Sequence, residues 1–339
     1  MRKPIRVAML GVGRIGKMHT RNILTMKEFE VVTGMDPYLT AEQEAELLEM
    51  GLPKFTRDPD EVFNDPTIDA VIISSVTETH SDLIIRAARK KMDVFCEKPI
   101  DHDVPRIREA LKAVKEEGVI LQIGFNHRFD LHHGSMQRMI AEGRVGDVEV
   151  LKITSRDPAP PSMKYIQESG GIFVDFMIHD FDMARFLTGS EVVEVFATGT
   201  SVCDPQISEY GDVGSGHAVL KFANGAIGIL EVSRRSSFGH DQRIEALGSK
   251  GCVMDDNVYE NNVRLFNETG YHGAKVPYHF PERYKEAYFD ELRAFAASIE
   301  NRTQPLVTGF DGLQAVLIAE AAARSFKSGK LEKVEIIDV

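Results

Sequence analysis

The sequence has no tryptophan and few cysteines: Cys96, Cys203 and Cys252 are the only three among 339 residues. Such scattered cysteines form neither a disulfide framework nor the paired spacing of a zinc site, which favours a reducing compartment, and we expect the cytoplasm. The sequence also lacks an apolar run of about 20 residues, the length that a membrane helix needs, so we expect no membrane partner. The short apolar run at residues 5–10 predicts a strand rather than a signal peptide.

Basic residues are in the minority. Lys and Arg number 40 against 52 Asp and Glu, which gives a formal net charge of −12. Nucleic-acid-binding proteins need a basic face to displace counterions from phosphates, so we expect no nucleic-acid partner. An anionic cofactor is compatible with this charge, because the amides at a helix N-terminus can bind a phosphate. The length suggests about two domains, at roughly 150 residues each.

Short apolar runs alternate with helical segments in the first part of the chain. This alternation predicts an α/β fold, with a doubly wound parallel sheet of the Rossmann type in a domain spanning residues 1–125. The predicted strands lie at residues 5–10, 29–36, 70–75, 94–99 and 120–125, and the predicted helices at residues 17–26, 41–50, 80–91 and 104–117.

The second part of the chain, residues 126–339, has longer strands with alternating polarity. Asn224-Gly225 lies between two of them and is a strong hairpin signal. The pattern predicts an α+β domain with an open, mostly antiparallel sheet. Its predicted strands include residues 216–223, 226–233 and 242–247, and its predicted helices lie near residues 174–187, 281–299 and 311–327.

A glycine-rich loop follows the first predicted strand and opens the first helix. Gly11, Gly13 and Gly16 fit the pattern G-x-G-x-x-G, and Asp36 ends the next strand 20 positions after Gly16. This combination is the dinucleotide-binding fingerprint in its expected context. An Asp36 carboxylate can accept hydrogen bonds from both hydroxyls of an adenine ribose and would repel a 2′-phosphate, so we predict NAD rather than NADP as the cofactor.

Two further groups of residues are candidates for a catalytic role. Glu97-Lys98-Pro99 ends a predicted strand at the edge where doubly wound folds bind ligands, although a surface lysine beside a strand-ending proline fits equally well. Asp175 and His179 would share one face of a continuous helix, where the carboxylate could orient a proton-accepting imidazole. From spacing alone, a structural pair on a helix surface is the stronger interpretation of these two residues.

The histidines at positions 127, 132 and 133 do not have the spacing of a known zinc site, and we expect no metal. Arg128, beside the first of them, could contact a ligand or form a structural ion pair.

These motifs in this order resemble the Gfo/Idh/MocA oxidoreductase family along essentially the whole chain. The stretch from Ser155 to Leu187 resembles its inositol 2-dehydrogenase branch. The resemblance implies an NAD-binding Rossmann domain and a C-terminal domain that binds substrate and forms homo-oligomers, often tetramers, through its open sheet. It implies Lys98, Asp175 and His179 as catalytic residues. It also implies Gly11, Gly13, Arg14, Ile15, Gly16, Asp36, Glu97 and Lys98 as cofactor-binding residues, and Lys98, Arg128, Asp157, Asp175, His179 and His240 as substrate-binding residues.

The reaction implied by this resemblance is the NAD-dependent oxidation of a ring hydroxyl of a cyclic polyol. For this branch that means myo-inositol to 2-keto-myo-inositol (scyllo-inosose), a step of inositol catabolism. Phe238-Gly239-His240 stands where the branch often has Tyr-Gly-Tyr, so the pocket can differ in the stereoisomer that it selects. The alternatives are the same chemistry on scyllo-inositol or on another sugar or anhydrosugar, an NAD-dependent glycosidase, and a non-catalytic nucleotide-bound sensor.

Overall fold

The computed structural model describes residues 3–337 and divides the chain into two compact units. Residues 3–129 and 286–313 form the first unit, and residues 130–285 and 314–337 form the second. The division into domains at residue 125 stays a prediction, and the structure adds that residues 286–313 pack with the N-terminal unit. No helix within residues 3–337 is long and apolar enough to cross a membrane.

The first unit contains a six-stranded sheet in which all neighbouring strands are parallel. The strand order is 3-2-1-4-5-6, the doubly wound arrangement that the sequence predicts. Its elements are β1 (Ile5–Leu10), α1 (Arg14–Ile23), β2 (Phe29–Met35), α2 (Ala41–Met50), β3 (Phe55–Thr56), α3 (Pro59–Phe63), β4 (Ala70–Ile73), α4 (His80–Arg89), β5 (Asp93–Glu97), α5 (Val104–Glu117) and β6 (Leu121–Gly124).

The second unit contains a seven-stranded mixed sheet. Its predicted, mostly antiparallel character is confirmed, since β7 (Val148–Arg156) and β10 (Ile227–Ser233) form the one parallel pair in the part of the sheet that the structure describes. Its strand order is 12-11-7-10-9-8-15. The remaining elements of the chain are α6 (Leu131–Ala141), β7 (Val148–Arg156), α7 (Met163–Glu168), α8 (Ile172–Asp175), α9 (Ile178–Thr188), β8 (Val192–Thr200), β9 (Ser215–Phe222), β10 (Ile227–Ser233), β11 (Asp241–Gly248), β12 (Gly251–Asp255), β13 (Arg264–Asn267), β14 (Gly270–Gly273), α10 (Phe280–Arg283), α11 (Lys285–Asn301), α12 (Gly309–Ser328) and β15 (Glu332–Lys333).

The predicted continuous helix over residues 174–187 is wrong. The segment consists of α8 and α9, and the turn between them contains Phe176 and Met177. The amide of Met177 donates to the carbonyl of Ile172 rather than to a carbonyl four residues back, and the amide of His179 donates to that of Phe176. Asp175 therefore ends one helix and His179 lies in the first turn of the next. Residues 281–299 are likewise divided between α10 and α11.

The core of the first unit uses apolar residues of both chain segments. Leu292 and Phe295 from α11 pack in one cluster with Val7, Met9 and Phe95 from the parallel sheet. All five side chains are fully buried. The apolar face of α11 therefore packs against the N-terminal sheet, although this helix lies about 160 residues after β6.

One acidic side chain of α11 is buried in this unit. Glu291 is fully buried, and both of its carboxylate oxygens lack a hydrogen-bond partner among the described residues. It lies close to His19 and Glu97, which contact each other at 2.6 Å between Nε2 and Oε1. Burial, and secondarily the charge of Glu97, raises the pKa of Glu291 well above its usual value. Glu291 therefore stays protonated in the folded chain over a pH range in which it ionises in the unfolded chain.

This raised pKa predicts a pH-dependent effect of Glu291→Gln on stability. Above about pH 4.3 the unfolded chain releases this proton while the folded chain retains it, so the native protein loses stability as pH rises. The neutral glutamine removes that loss. We expect the Tm of the variant to exceed that of the unsubstituted protein by a few degrees near about pH 9, and the difference to shrink toward about pH 5.

Calorimetry across this pH range measures the effect. Glu286→Gln, at an exposed position of the same helix, is the matched control and should show no such trend. A Tm difference that is independent of pH would contradict the prediction.

Candidate active site

The glycine-rich loop begins where β1 ends, at Gly11. Gly11 has a φ of +84°, and a Cβ atom at this position would lie 2.3 Å from the backbone of Ser75. Its amide donates to the carbonyl of Met35, and its carbonyl accepts from the hydroxyl of Ser74. The turn therefore lies against the ends of β2 and β4, and only glycine fits there.

The same loop leads directly into α1. A Cβ atom at Gly16 would lie 2.1 Å from the carbonyl oxygen of Gly11, so Gly16 allows the helix to approach the turn closely. Gly13 is the N-cap residue, and a Cβ atom there would have open space around it. Arg14 and Ile15 form the first turn of α1. The helix N-terminus thus faces an accessible space, which suits the phosphates of a dinucleotide.

Asp36 lies beside this loop, directly after β2. Its Oδ2 atom accepts a hydrogen bond from the amide of Val12 at 3.2 Å, and its Oδ1 atom accepts one from the amide of Tyr38 at 3.0 Å. The carboxylate is half-buried and is held next to the glycine turn by two backbone donors. A carboxylate so placed can accept hydrogen bonds from ribose hydroxyls, and the residues therefore fit NAD.

Glu97 and Lys98 lie at the carboxyl end of β5, in the same sheet. Glu97 is the last residue of the strand, and its Oε2 atom accepts a hydrogen bond from the amide of Lys98 at 3.3 Å. Lys98 is half-buried, and its peptide bond to Pro99 is cis. Both residues thus lie at the sheet edge where doubly wound folds bind their ligands.

Arg128 is buried in a 3-10 turn of the first unit. Its guanidinium contacts the carboxylate of Asp311 at 2.9 Å and the carbonyl of Leu306 at 3.1 Å. Arg128 therefore forms a structural ion pair, one of the two roles that the sequence leaves open for it. Its role in substrate binding stays a prediction.

Asp157 and His240 come together in the second unit. Asp157 follows β7, His240 precedes β11, and the Nδ1 atom of the histidine lies 3.1 Å from Oδ1 of the aspartate. The His240 ring is buried edge-on against Tyr284, with 5.8 Å between ring centroids. Phe238, two residues earlier, is 55% exposed. In the segment Phe238-Gly239-His240, the His240 imidazole is therefore held in place, and the apolar ring of Phe238 is exposed.

Asp175 and His179 lie in the same unit, at the junction of α8 and α9, and both are half-buried. The hydroxyl of Tyr165 donates to Oδ1 of Asp175 at 2.7 Å. The Arg234 guanidinium lies 3.5 Å from Oδ2 of the same carboxylate. Neither of these two contacts follows from the local sequence pattern.

Asp180, the residue after His179, is a second buried acid that sequence reasoning missed. Burial raises the pKa of Asp180 to about 7, although the hydroxyl of Ser155 donates to Oδ1 at 2.7 Å and lowers it. No periodicity marks Asp180 as buried, and Asp182, the other acidic residue of α9, is buried as well. The burial of Asp180 follows from the packing of α9 on the sheet.

Comparisons with known proteins agree with this geometry. The family model described as "Oxidoreductase family, NAD-binding Rossmann fold" matches residues 5–125, and the model of the GFO/IDH/MocA C-terminal domain matches residues 133–254. The fold and the glycine loop therefore define an oxidoreductase whose cofactor is NAD. The chain belongs to the Gfo/Idh/MocA family.

Individual relatives are similar to the chain over nearly its whole length. Myo-inositol 2-dehydrogenase of Thermotoga maritima is 41% identical over 98% of this chain and 99% of that protein. Inositol 2-dehydrogenase of Rhizobium meliloti is 43% identical over 95% of this chain and 96% of that protein. The structure of scyllo-inositol dehydrogenase from Lactobacillus casei with bound NAD(H) and scyllo-inositol matches with a TM-score of 0.92 at 29% identity, over 98% of this chain and 99% of that one.

The position of Asp36 predicts how its removal changes cofactor binding. Asp36→Ala removes the carboxylate that would accept the ribose hydroxyls and repel a 2′-phosphate. Hydrogen bonds to a charged group contribute about 1.5–3 kcal/mol, so the Kd for NAD should rise about 10- to 100-fold. The ratio of the Kd values for NADP and NAD should fall at the same time.

Titration calorimetry with both nucleotides measures this change. Glu42→Ala, at an exposed position of α2, is the control and should bind NAD as the unsubstituted protein does. Equal binding of NAD and NADP by the unsubstituted protein would show that Asp36 does not select the cofactor.

Proposed function

We propose that the chain is an NAD-dependent dehydrogenase that oxidises a ring hydroxyl of a cyclic polyol, converting myo-inositol to 2-keto-myo-inositol. The observation that carries this proposal is the 41% identity with Thermotoga maritima myo-inositol 2-dehydrogenase across 98% of the chain. The dinucleotide loop formed by Gly11, Gly13 and Gly16, with Asp36 beside it, supports it from the chain's own residues.

Three residues carry the proposed chemistry. Bound NAD supplies the hydride acceptor. His179 takes the proton of the substrate hydroxyl, since an imidazole can accept a proton near neutral pH. Asp175 acts on this imidazole either as an orienting carboxylate, which stabilises its protonated form, or as a proton relay. Lys98 donates a hydrogen bond to the same hydroxyl and favours loss of its proton. Gly11, Gly13, Arg14, Ile15, Gly16, Asp36, Glu97 and Lys98 form the proposed cofactor site.

The remaining proposed substrate contacts are Arg128, Asp157 and His240. The Asp157–His240 pair offers a polar group to a polyol hydroxyl, and its contact at 3.1 Å supports this assignment. Phe238, two residues before His240, has a ring that carries no hydroxyl group. A pocket with fewer hydrogen-bonding groups discriminates less sharply between stereoisomers, so scyllo-inositol or another cyclic sugar is the second candidate substrate.

The proposed assembly is a homo-oligomer, a tetramer, formed through the sheet of the second unit. Large apolar side chains on the outward face of this sheet are exposed, among them Phe196, Val219, Ile229 and Leu247. Contiguous exposed apolar surface of this kind is typical of an interface. We further propose a cytoplasmic enzyme of inositol catabolism that binds neither nucleic acid nor membrane, in keeping with its net charge of −12.

A panel assay tests the reaction class. The protein is incubated with NAD and with myo-inositol, scyllo-inositol, simple sugars, anhydrosugars and glycosides, and formation of NADH is measured by absorbance. We expect NADH with myo-inositol at the highest kcat/KM. Cleavage of a glycoside without net NADH would identify a glycosidase, and NAD binding without any turnover would identify a sensor. Either result would overturn the proposed function.

The proposed roles predict different effects for two substitutions. His179→Ala should lower kcat by about 10²–10⁴-fold, because general-base catalysis contributes about that factor, while NAD still binds. Lys98→Met keeps the aliphatic stem and should also lower kcat with the Tm unchanged.

Steady-state kinetics, NAD titration and thermal unfolding separate these effects. His102→Ala and Lys112→Met, both outside the proposed site, are the controls. Near-normal turnover of His179→Ala would remove that residue from the mechanism. A change in Tm alone for Lys98→Met would make the lysine structural.

A further inference from the structure

A buried arginine connects two carboxylates beneath the junction of α8 and α9. Arg234 follows β10, and its side chain is 2% exposed. Its Nη1 atom lies 3.5 Å from Oδ2 of Asp175, and its Nη2 atom lies 3.3 Å from Oδ2 of Asp212. A buried guanidinium requires charged or polar partners, and these two carboxylates provide them.

The second of these carboxylates fixes the opposite end of α8. Oδ1 of Asp212 accepts a hydrogen bond from the amide of Ile172, the first residue of this four-residue helix, at 2.8 Å. Asp175 is the last residue of the same helix. Arg234 therefore holds the single helical turn at both ends, directly at Asp175 and through Asp212 at Ile172.

The other oxygen of Asp175 has its own donor. The Tyr165 hydroxyl donates to Oδ1 at 2.7 Å from the short helix α7, and the Tyr165 side chain is 40% exposed. Each carboxylate oxygen of Asp175 thus faces one donor group, a phenol on one side and a guanidinium on the other. Two such donors fix the plane in which the carboxylate lies.

We propose that Arg234 and Tyr165 are positioning residues that fix the orientation of the Asp175 carboxylate. This inference rests on the proposed function, which assigns Asp175 to the catalytic residues. A carboxylate that orients a neighbouring imidazole needs a fixed geometry, and these contacts provide it.

A double-mutant cycle tests whether Tyr165 acts through Asp175. Tyr165→Phe removes the donor from a partly exposed position and should leave the Tm and the Kd for NAD unchanged. We expect kcat to fall about tenfold while the KM for NAD stays constant. In an Asp175→Asn background, Tyr165→Phe should have no further effect on kcat, because the acceptor that it positions is already neutral. Tyr210→Phe, at another partly exposed tyrosine, is the matched control.

Arg234 is tested with two variants, because loss of its charge leaves two carboxylates without their cation. Arg234→Lys keeps the positive charge but not the planar fork, and it should retain more kcat than Arg234→Met. Arg235→Lys, at the exposed neighbouring position, should behave as the unsubstituted protein.

The outcomes separate this inference from the proposed function. If the unsubstituted protein oxidises a polyol but Tyr165→Phe and Arg234→Met keep its full kcat, the positioning role is wrong and the proposed function stands. If the effects of Tyr165→Phe and Asp175→Asn on kcat multiply independently, Tyr165 does not act through Asp175. If the unsubstituted protein turns over no polyol, the proposed function fails and the role assigned to Asp175 fails with it.

Discussion

The close approach between Gly11 and Gly16 is the constraint on which the cofactor site depends. A Cβ atom at Gly16 would lie 2.1 Å from the Gly11 carbonyl, and a Cβ atom at Gly11 would meet the backbone of Ser75. Any larger residue would push α1 away from the ends of β1 and β4. The helix N-terminus would then no longer lie beside the Asp36 carboxylate, whose contact with Val12 belongs to the same turn. The proposed binding of the phosphates and the proposed selection of the ribose therefore both depend on one backbone contact.

In the second unit, the parallel pairing of β7 and β10 has a comparable role. Parallel strands end at the same edge, so the residues that follow them become neighbours. The amide of Asp157 donates to the carbonyl of Ser233 at 2.8 Å, which brings Asp157 next to the start of the Arg234 segment. From there the Arg234 guanidinium reaches Asp175 and Asp212. The parallel pairing of β7 and β10 in this mostly antiparallel sheet thus places Asp157, a proposed substrate contact, and Arg234, a proposed positioning residue, at one edge of the sheet.

Much of the fold and of the candidate site could be predicted from local sequence signals. The features that could not be predicted depend on contacts between residues that are far apart in the chain. The glycine loop and the buried strands of the first unit are short-range patterns, as is the hairpin at Asn224-Gly225, where Gly225 has a φ of +93°. The contact of Arg234 with Asp175 joins residues 59 positions apart and required the β7–β10 register, which alternation alone does not reveal. The packing of α11 with the N-terminal sheet could not be predicted either, because it also joins residues that are far apart in the chain. The turn at Phe176 and Met177 carries no glycine or proline, so the helical pattern continued across it.

The central claim is that a hydrogen on the carbinol carbon of a cyclic polyol is transferred directly to the cofactor. Incubation with NAD and myo-inositol deuterated at C2, followed by mass spectrometry of the reduced cofactor, tests this most directly. Direct transfer should give one deuterium in each molecule of reduced cofactor and a slower rate than with unlabelled substrate. Reduced cofactor without deuterium, or no reduction at all, would contradict it.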